Sequence, residues 1–346
     1  MQLAANTGSL RLKRRAVIDF LNRPWIAAAF AAAVLAVTFA DSFVTTDNYI
    51  FPPYFKHILF VSLIYSTVTL SLNFVSGYIG ETSLGHAAFF GLGGYVSALL
   101  TQNWHVNFWL AFLAAGLAAA AVGIPLGAPA LRVRGPFLVV VTYGCGEVFK
   151  FIALNLDITG GPAGLPGLVT PALFGVSFSN IGPTGKEAFI VTALVLSLLL
   201  AFFMSRINAS RIGHAFAAIR EDHIAAAAMG INVAYYKLLA FVLGAFFAGL
   251  AGSLFAHYLS FVSPDMLSSN ESIMMLTMVV VGGARSIPGS FFGAFLLTTL
   301  PEALRFLKDI IGLTFDPWLV LFGFILIVMM RVQPEGFLGT DTVFRR

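Results

Sequence analysis

Long apolar runs separated by short polar segments fill most of this chain, and within each run the apolar positions are continuous. Runs of about 18 or more apolar residues are typical of helices that cross a membrane. Strands of a membrane barrel would alternate with a period of two residues, a pattern missing from this sequence, so helices are favoured. The pattern predicts ten membrane segments, at residues 25–40, 54–75, 77–100, 108–126, 136–156, 188–205, 238–258, 271–281, 290–300 and 317–330.

Charged residues between the runs orient the predicted helices. Basic residues precede the first run and follow the last, and cytoplasmic segments are rich in Lys and Arg, so both termini are expected in the cytoplasm. The sequence GGARSIPG at 282–289 is predicted to separate two short membrane segments, because a single span there would place the basic C-terminus outside. The predicted organisation is a basic segment at 1–24, one membrane domain at 25–331 with a periplasmic loop at 157–187, and a cytoplasmic tail at 332–346.

The composition excludes a soluble globular protein. Apolar residues make up 58% of the chain and charged residues 10%, and the mean hydropathy is +0.89. The net charge of +4 is accounted for by cytoplasmic loops and does not indicate nucleic-acid binding. The single cysteine, Cys145, excludes a disulfide within the chain and is expected to be a small buried residue. The predicted fold class is an all-α polytopic membrane protein with about ten transmembrane or half-membrane helices.

No motif in the sequence predicts an enzyme. The pair Gly185-Lys186 lacks the upstream glycine of a phosphate-binding loop and is followed by Glu187. The Cys and His residues show no paired spacing typical of a metal site. We therefore expect a protein that is not an enzyme and that carries no cofactor and no metal.

Residues 77–100 combine many glycines with an acidic residue inside an apolar run. The glycines favour close helix packing. Glu81 favours a helix that is interrupted near residues 81–85 and lines a polar path, because an ionisable group at membrane depth is costly and usually faces a cavity or a partner. Both interpretations can hold together. The side chains predicted to contribute to a translocation path are Glu81, Ser83, Gly85, His86 and, in the fifth run, Glu147.

Three of these positions have simpler interpretations. Glu147 lies one helical turn from Lys150, and an ion pair within the helix is favoured over a contact in a pore. Ser83 and His86 stand near Glu81 in the sequence, as hydrolytic groups would, but helix packing is favoured for them.

An amphipathic, charged stretch at 206–237 separates the sixth and seventh runs. One interpretation is a helix that lies on anionic lipid with its basic residues facing the membrane. Glu221 and Asp222 interrupt the basic residues, however, and the alanine run 225–228 ends at Gly230. A short helix of this kind can dock into a groove on a soluble protein, which is the favoured interpretation.

Several segments in combination resemble the permease subunits of ATP-binding-cassette importers for branched-chain amino acids, of the M type. The resemblance covers nearly the whole chain from the second run onward. The matching segments are GYIGETSLGHAAFFGLGGY (77–95), LRVRGPF (131–137), NLDITGGPAGL (155–165), RIGHAFAAIREDHIAAAAMGINVAYYKLLAF (211–241), AGLAGSLFAHYLSFVSPD (248–265) and VVVGGARSIPGSFFGA (279–294).

The resemblance implies the architecture of an importer permease in the bacterial inner membrane, with Leu, Ile or Val as cargo. The implied partners are a second homologous permease subunit, two cytoplasmic ATPase subunits that hydrolyse ATP, and a periplasmic or surface-tethered substrate-binding protein, with membrane lipid around the permeases. One helix, 211–230, would carry the motion of the ATPase subunits into the membrane. The residues implied for this coupling are Arg211, Gly213, Arg220, Glu221, Asp222, Ala225, Ala226 and Gly230.

Two departures from the wider importer class leave alternatives open. Ile224 stands where that class often has Glu, as is usual in this subfamily, and Glu81 stands where many relatives are expected to have Gln. The same machinery could carry urea, amides or other amino acids. A stand-alone secondary carrier or channel is the alternative of another class, but the two halves of the chain show no matching broken helices.

Overall fold

The computed structural model describes residues 24–39, 53–128, 135–173, 176–180 and 185–311, with 323–324, 327, 331 and 336–339. The α-helices in chain order are α1 (Pro24–Phe39), α2 (Pro53–Asn73), α3 (His86–Asn103), α4 (Phe108–Gly127), α5 (Pro136–Asn155), α6 (Glu187–Asn208), α7 (Arg211–Glu221), α8 (His223–Ala228), α9 (Val233–Leu259), α10 (Ser269–Gly282) and α11 (Ile287–Ile311). A π-helix, Phe74–Ile79, continues α2 directly.

Five helical segments are long and apolar enough to cross a membrane, and these are Tyr54–Ile79, Phe108–Gly127, Phe137–Asn155, Glu187–Asn208 and Val233–Leu259. Shorter apolar helices lie at Ile26–Phe39 and Ser269–Gly282. The described part of the chain is therefore an all-α bundle built around membrane-spanning helices, as the continuous apolar runs predict.

Burial divides the spans into inner and outer helices. Within the most apolar stretch of each span, 89% of the residues are buried in Tyr54–Ile79 and 22% in Phe137–Asn155. Helix α2 packs against α6, α9 and α11, and α9 packs against α3 and α4 as well. Thus α2 and α9 form the centre of the bundle, whereas α5 leaves most of its surface uncovered.

Glycines allow α3 and α9 to approach until their backbones touch. A Cβ built on Gly93 of α3 would overlap the backbone of Gly249, and one on Gly252 of α9 would overlap the carbonyl of Phe90. Small residues permit such close contact between membrane helices. Gly93, Gly249 and Gly252 are therefore packing residues at this crossing.

Helix α2 is buried although it contains several Ser and Thr residues, because their hydroxyl groups make hydrogen bonds. Ser66, Thr67 and Thr69 each donate to the carbonyl four residues earlier, at 2.7, 3.1 and 2.6 Å. Ser62 lies 2.6 Å from Thr298 of α11 through their hydroxyl oxygens. Because each buried hydroxyl has a partner, none carries the full cost of burial.

The long connection between α5 and α6 is anchored to the end of α9. Its strand β1 (Leu165–Pro166) pairs antiparallel with β4 (Phe261–Val262), with Leu165 opposite Val262. A second pair, β2 (Ala172–Leu173) with β3 (Val176–Ser177), forms within the connection. At the same end of the bundle, the Nδ1 atom of His257 lies 2.7 Å from the carbonyl oxygen of Val169 in the connection. The neighbouring Tyr258 hydroxyl lies 3.0 Å from Nδ1 of His57.

The bounds of α1, α3, α10 and α11 confirm several of the predicted elements. The first run forms α1, and the third run is interrupted before α3 begins at His86. The predicted separation at 282–289 is also present, since α10 ends at Gly282 and α11 begins at Ile287. Here Arg285 has a φ of +68°, so the backbone turns sharply between the two helices.

Two predicted elements are wrong. The stretch 211–230 is not one helix, because Asp222 has an extended backbone and separates α7 from α8. The short segment predicted at 290–300 is the middle of α11, which is 25 residues long and includes Pro301. Proline tolerated inside a helix explains why the pattern suggested an earlier end.

The terminal predictions fall largely outside the described residues. The basic segment 1–24 is described only at Pro24, and the last run, 317–330, only at three positions. Within the tail 332–346, the described residues 336–339 lie against the turn after α10, where the Phe337 and Leu338 amides donate to the carbonyls of Val281 and Gly282.

Candidate functional site

The α7–α8 pair is built around the capping residue Asp222. The Asp222 carboxylate accepts hydrogen bonds from the backbone amides of Ile224 and Ala225, at 2.7 and 3.1 Å. An aspartate in this position satisfies amides that have no partner inside the helix, and its charge suits the positive helix N-terminus. The residue that interrupts the predicted helix is therefore the one that starts α8.

Helix α7 is attached firmly to the bundle. Its buried face contains Ala215, Phe216 and Ile219. A Cβ at Gly213 would lie 2.5 Å from two carbonyl oxygens at the end of α6, so only glycine fits there. Arg211 and Glu221 are exposed. Of these predicted coupling residues, Gly213 thus has a packing role, while the two charges face outward.

Helix α8 presents an apolar surface that the rest of the described chain leaves uncovered. Ala226 is buried, but Ala225 is exposed, and Ile224 and Met229 are 67% and 83% exposed. Gly230 follows with a φ of +85°, a conformation that favours glycine and that ends α8. Exposed large apolar side chains on a short capped helix are typical of a contact surface.

Arg220 points in the opposite direction, into the bundle. Its guanidinium donates a hydrogen bond to the Gly77 carbonyl in the π-helix. Its aliphatic part lies against Gly80, where a Cβ would be 3.0 Å from Arg220 Cγ. The end of α7 is therefore connected to the end of the π-helix.

Glu81 forms an ion pair with Lys237 of α9. The two side chains are 14% and 4% exposed. The interruption around 81–85 is thus confirmed, and its acidic group faces a cation in the same chain. Lys237 was not among the predicted site residues, although a lone lysine at the start of an apolar run is a signal of a charged partner.

Gly85 and His86 lie at contacts between helices, whereas Ser83 makes a local contact. The His86 ring lies 2.8 Å from the Ser71 hydroxyl through Nε2, and Ser83 accepts a bond of 3.4 Å from the Gly85 amide. A Cβ at Gly85 would lie 2.7 Å from the Thr142 carbonyl of α5. These contacts agree with helix packing, the interpretation favoured from the sequence.

Glu147 accepts a hydrogen bond from the Ser269 hydroxyl at the start of α10. Within the described residues it makes no ion pair with Lys150, so the predicted intrahelical pair is wrong. Cys145 is half-exposed and not buried as predicted. Glu147 reaches across to another helix, which leaves Lys150 on the uncovered side of α5.

The structure thus gathers the predicted residues into two places. The contacts of Arg220 and Glu81 both lie within residues 77–81, at the Gly77 carbonyl and at Glu81 itself, whereas Glu147 lies apart, between α5 and α10. Among the described residues, no group of three His, Cys, Asp or Glu side chains could hold a metal ion.

Replacing Asp222 with Ala is expected to unwind α8, whereas Asp222→Asn, which keeps an acceptor oxygen, retains the helix. Hydrogen exchange of the peptide 222–230 measures this, and exchange as slow in Asp222→Ala as in the unchanged chain would contradict it.

The same cap predicts a dependence on pH. Hydrogen bonds from the Ala225 and Ile224 amides lower the pKa of Asp222. Its contribution is complete above the ordinary aspartate pKa and is lost as the pH falls through the lowered value. The protection of 222–230, measured as exchange relative to an unstructured peptide at the same pH, should therefore fall at that acidic pH, and only slightly in Asp222→Asn.

Comparison with known proteins identifies the family of the chain. Residues 54–330 match the family described as branched-chain amino acid transport system / permease component. The high-affinity branched-chain amino acid transport system permease protein LivM of Escherichia coli strain K12 is 35% identical over 297 residues, which cover 80% of this chain and 68% of that protein.

Two further relatives extend the comparison. The corresponding permease protein BraD of Pseudomonas aeruginosa is 29% identical over 300 residues, covering 82% of this chain and 94% of BraD. LivH of Salmonella typhimurium is 28% identical over 300 residues, covering 81% and 92%. No solved structure shows significant similarity. From the match over residues 54–330 and the identity to LivM, the chain belongs to the permease family of branched-chain amino acid transport systems.

Proposed function

We propose that this chain is the permease subunit of an ATP-driven importer for branched-chain amino acids in the bacterial inner membrane. The observation that carries the proposal is the α8 surface, where a capped helix exposes Ile224 and Met229 beyond the spans. A soluble subunit with an apolar groove would cover this surface. Two ATPase subunits would hydrolyse ATP, and this chain would supply the path for Leu, Ile or Val.

The proposal includes an orientation and a domain organisation. Residues 206–237 lie in the cytoplasm with both termini, and the connection 157–187 lies outside, where a substrate-binding protein delivers the cargo. The spans and the hydrophobic content support one membrane domain at 25–331, followed by a cytoplasmic tail at 332–346.

A second homologous permease covers α5. The exposed residues of α5 include Phe137, Val140, Val148 and Phe151. Two charged residues of the same helix, Glu147 and Lys150, are half-exposed. Lipid is a poor environment for such charges, so they support a protein partner or a water-filled path on this side. Glu147 is therefore the residue that we place beside the translocation path, at the junction of the two permeases.

Purification from the native host tests the partners. A tag on the C-terminus of the wild-type chain is expected to bring down two ATPase subunits and a second permease in mild detergent. Gly230→Pro is expected to lose the ATPase subunits and keep the second permease, because proline cannot adopt a positive φ and lacks the amide that donates to Ala227.

Uptake into membrane vesicles tests the cargo. Leucine, isoleucine and valine are expected to enter only with ATP, and both Gly230→Pro and charge reversal at Glu221 with Asp222 should abolish this uptake. Uptake of urea or a short amide in place of leucine would keep the machinery and change the cargo. A wild-type chain that purifies alone and transports without ATP would contradict the proposal.

A further inference from the structure

The π-helix Phe74–Ile79 marks a change in the central helix of the bundle. Helix α2 leaves α-helical geometry at Phe74, and the π-helix ends at Gly80, whose φ of +83° and amide bond to the Val75 carbonyl close the last turn. The Glu81 amide donates to the same carbonyl at 3.2 Å. Single π-helical turns are rare in proteins, and many of those that occur lie at functional sites.

Two cations hold this segment, one in α7 and one in α9. Arg220, near the end of α7, donates to the Gly77 carbonyl. Lys237, in the first turns of α9, pairs with Glu81. A cation at the carbonyl end of a helix is favourable, and an ion pair that is largely buried is costly to separate. Movement of α7 would therefore act on residues 77–81 through Arg220, and movement of the start of α9 would act on them through Lys237.

The opposite side of the same segment is attached to α11 and to the turn before it. The Asn73 side-chain amide donates to the Ser290 hydroxyl at 3.0 Å, and its carbonyl oxygen accepts from the Arg285 backbone amide at 2.9 Å. A Cβ at Gly77 would overlap the Asn73 side chain and lie 2.8 Å from the Arg285 amide. The segment thus joins the α7–α8 pair to α2, α9 and α11 with little free space.

We infer that residues 74–85 are the element that carries movement of the α7–α8 pair into the membrane helices, with Arg220 and the Lys237–Glu81 ion pair as positioning residues. This inference rests on the proposed function, since it assumes that ATPase subunits move α7 and α8. For this role the segment needs a second arrangement, which a shift of its π-helical hydrogen bonds by one residue to α-helical geometry would provide. An element with two discrete arrangements that both sites bias is a physical basis for coupling between distant sites.

The first test uses the complete importer, purified with both permeases and both ATPase subunits and reconstituted in lipid vesicles. ATP hydrolysis and leucine uptake are measured in the same sample, with loaded binding protein present. In Arg220→Ala the α8 surface is unchanged, so the ATPase subunits should remain bound and hydrolysis should stay within about twofold of wild type. Leucine taken up per ATP hydrolysed should fall about tenfold, within the range of coupling effects.

The control is Arg331→Ala, which also removes one arginine side chain, but from an exposed position outside the α7–α8 pair, whereas Arg220 is half-buried. Its uptake per ATP should equal that of wild type. An unchanged ratio in Arg220→Ala would overturn the inference while leaving the proposed function intact. A wild-type chain that brings down no ATPase subunit would instead contradict the proposed function itself.

A reversed ion pair provides the second test and decides the question if Arg220→Ala fails to assemble. Glu81→Lys places two cations together in a poorly hydrated position, so uptake per ATP should be lost. Glu81→Gln should be tolerated better. The double variant Glu81→Lys with Lys237→Glu restores opposite charges and should recover much of the ratio. If it assembles but recovers nothing beyond Glu81→Lys alone, the ion pair has no positioning role.

Discussion

Replacing Lys56 with Met is expected to lower the free energy of unfolding by about 3–5 kcal/mol, because the change removes one half of a buried ion pair. Lys56 of α2 and Glu187 of α6 are both fully buried, and Lys56 Nζ lies 2.7 Å from Glu187 Oε1. Without the ammonium group, the carboxylate loses the charge that compensates its removal from water. Thermal or denaturant unfolding of the chain in detergent measures the loss.

The neighbouring lysine provides a control. Lys186 is half-exposed, with its ammonium group over the Tyr258 ring at 5.7 Å, so Lys186→Met should cost only about 0.5–1 kcal/mol. The double variant Lys56→Met with Glu187→Leu should regain most of the stability, because apolar pairs often replace buried ion pairs without loss. Equal losses for the two lysine variants would contradict the importance of the pair.

Gly252→Ala is expected to destabilise the protein by up to about 3 kcal/mol, the upper end of the cost of overpacking. The new methyl group would overlap the Phe90 carbonyl oxygen, which is a backbone atom and cannot move aside as a side chain can. Helices α3 and α9 would therefore separate along their crossing. Unfolding in detergent measures the change, and Gly93→Ala should behave in the same way because it would overlap Gly249.

Gly144→Ala is the matched control for these variants. Gly144 also lies within a spanning helix, but a Cβ there would have no atom of the described residues within 4 Å. Alanine favours a helix over glycine by about 1 kcal/mol at most, so this variant should be as stable as the wild type or slightly more stable. Similar losses at Gly144 and Gly252 would show that the cost is due to glycine in helices generally.

Most of the helices could be predicted from the sequence, because the runs are continuous and the charges between them follow a simple rule. The break before α11 followed from the basic residues alone. The division at Asp222 had a local signal as well, an aspartate just before an apolar alanine run, which is the usual start of a helix. The charged and apolar residues continue on both sides of Asp222, however, so the amphipathic pattern by itself predicts one helix.

The long-range ion pairs could not be predicted in the same way. Lys56 and Glu187 are 131 positions apart, and Lys237 and Glu81 are 156 apart. Local periodicity and capping describe one helix at a time, whereas these pairs depend on which helices become neighbours. The cost of an isolated charge in a span indicated that Glu81 needs a partner, but not which one.

The π-helix also imposes a constraint on insertions and deletions. In an α-helix each residue turns the chain by about 100°, so losing one residue between Asn73 and Glu81 would rotate the following residues away from their present contacts. Asn73 would still face Ser290 and the Arg285 amide, but Glu81 would no longer face Lys237. Homologous chains that keep both contacts should therefore keep this spacing unchanged, so an alignment gap within the segment would identify a permease with a different connection.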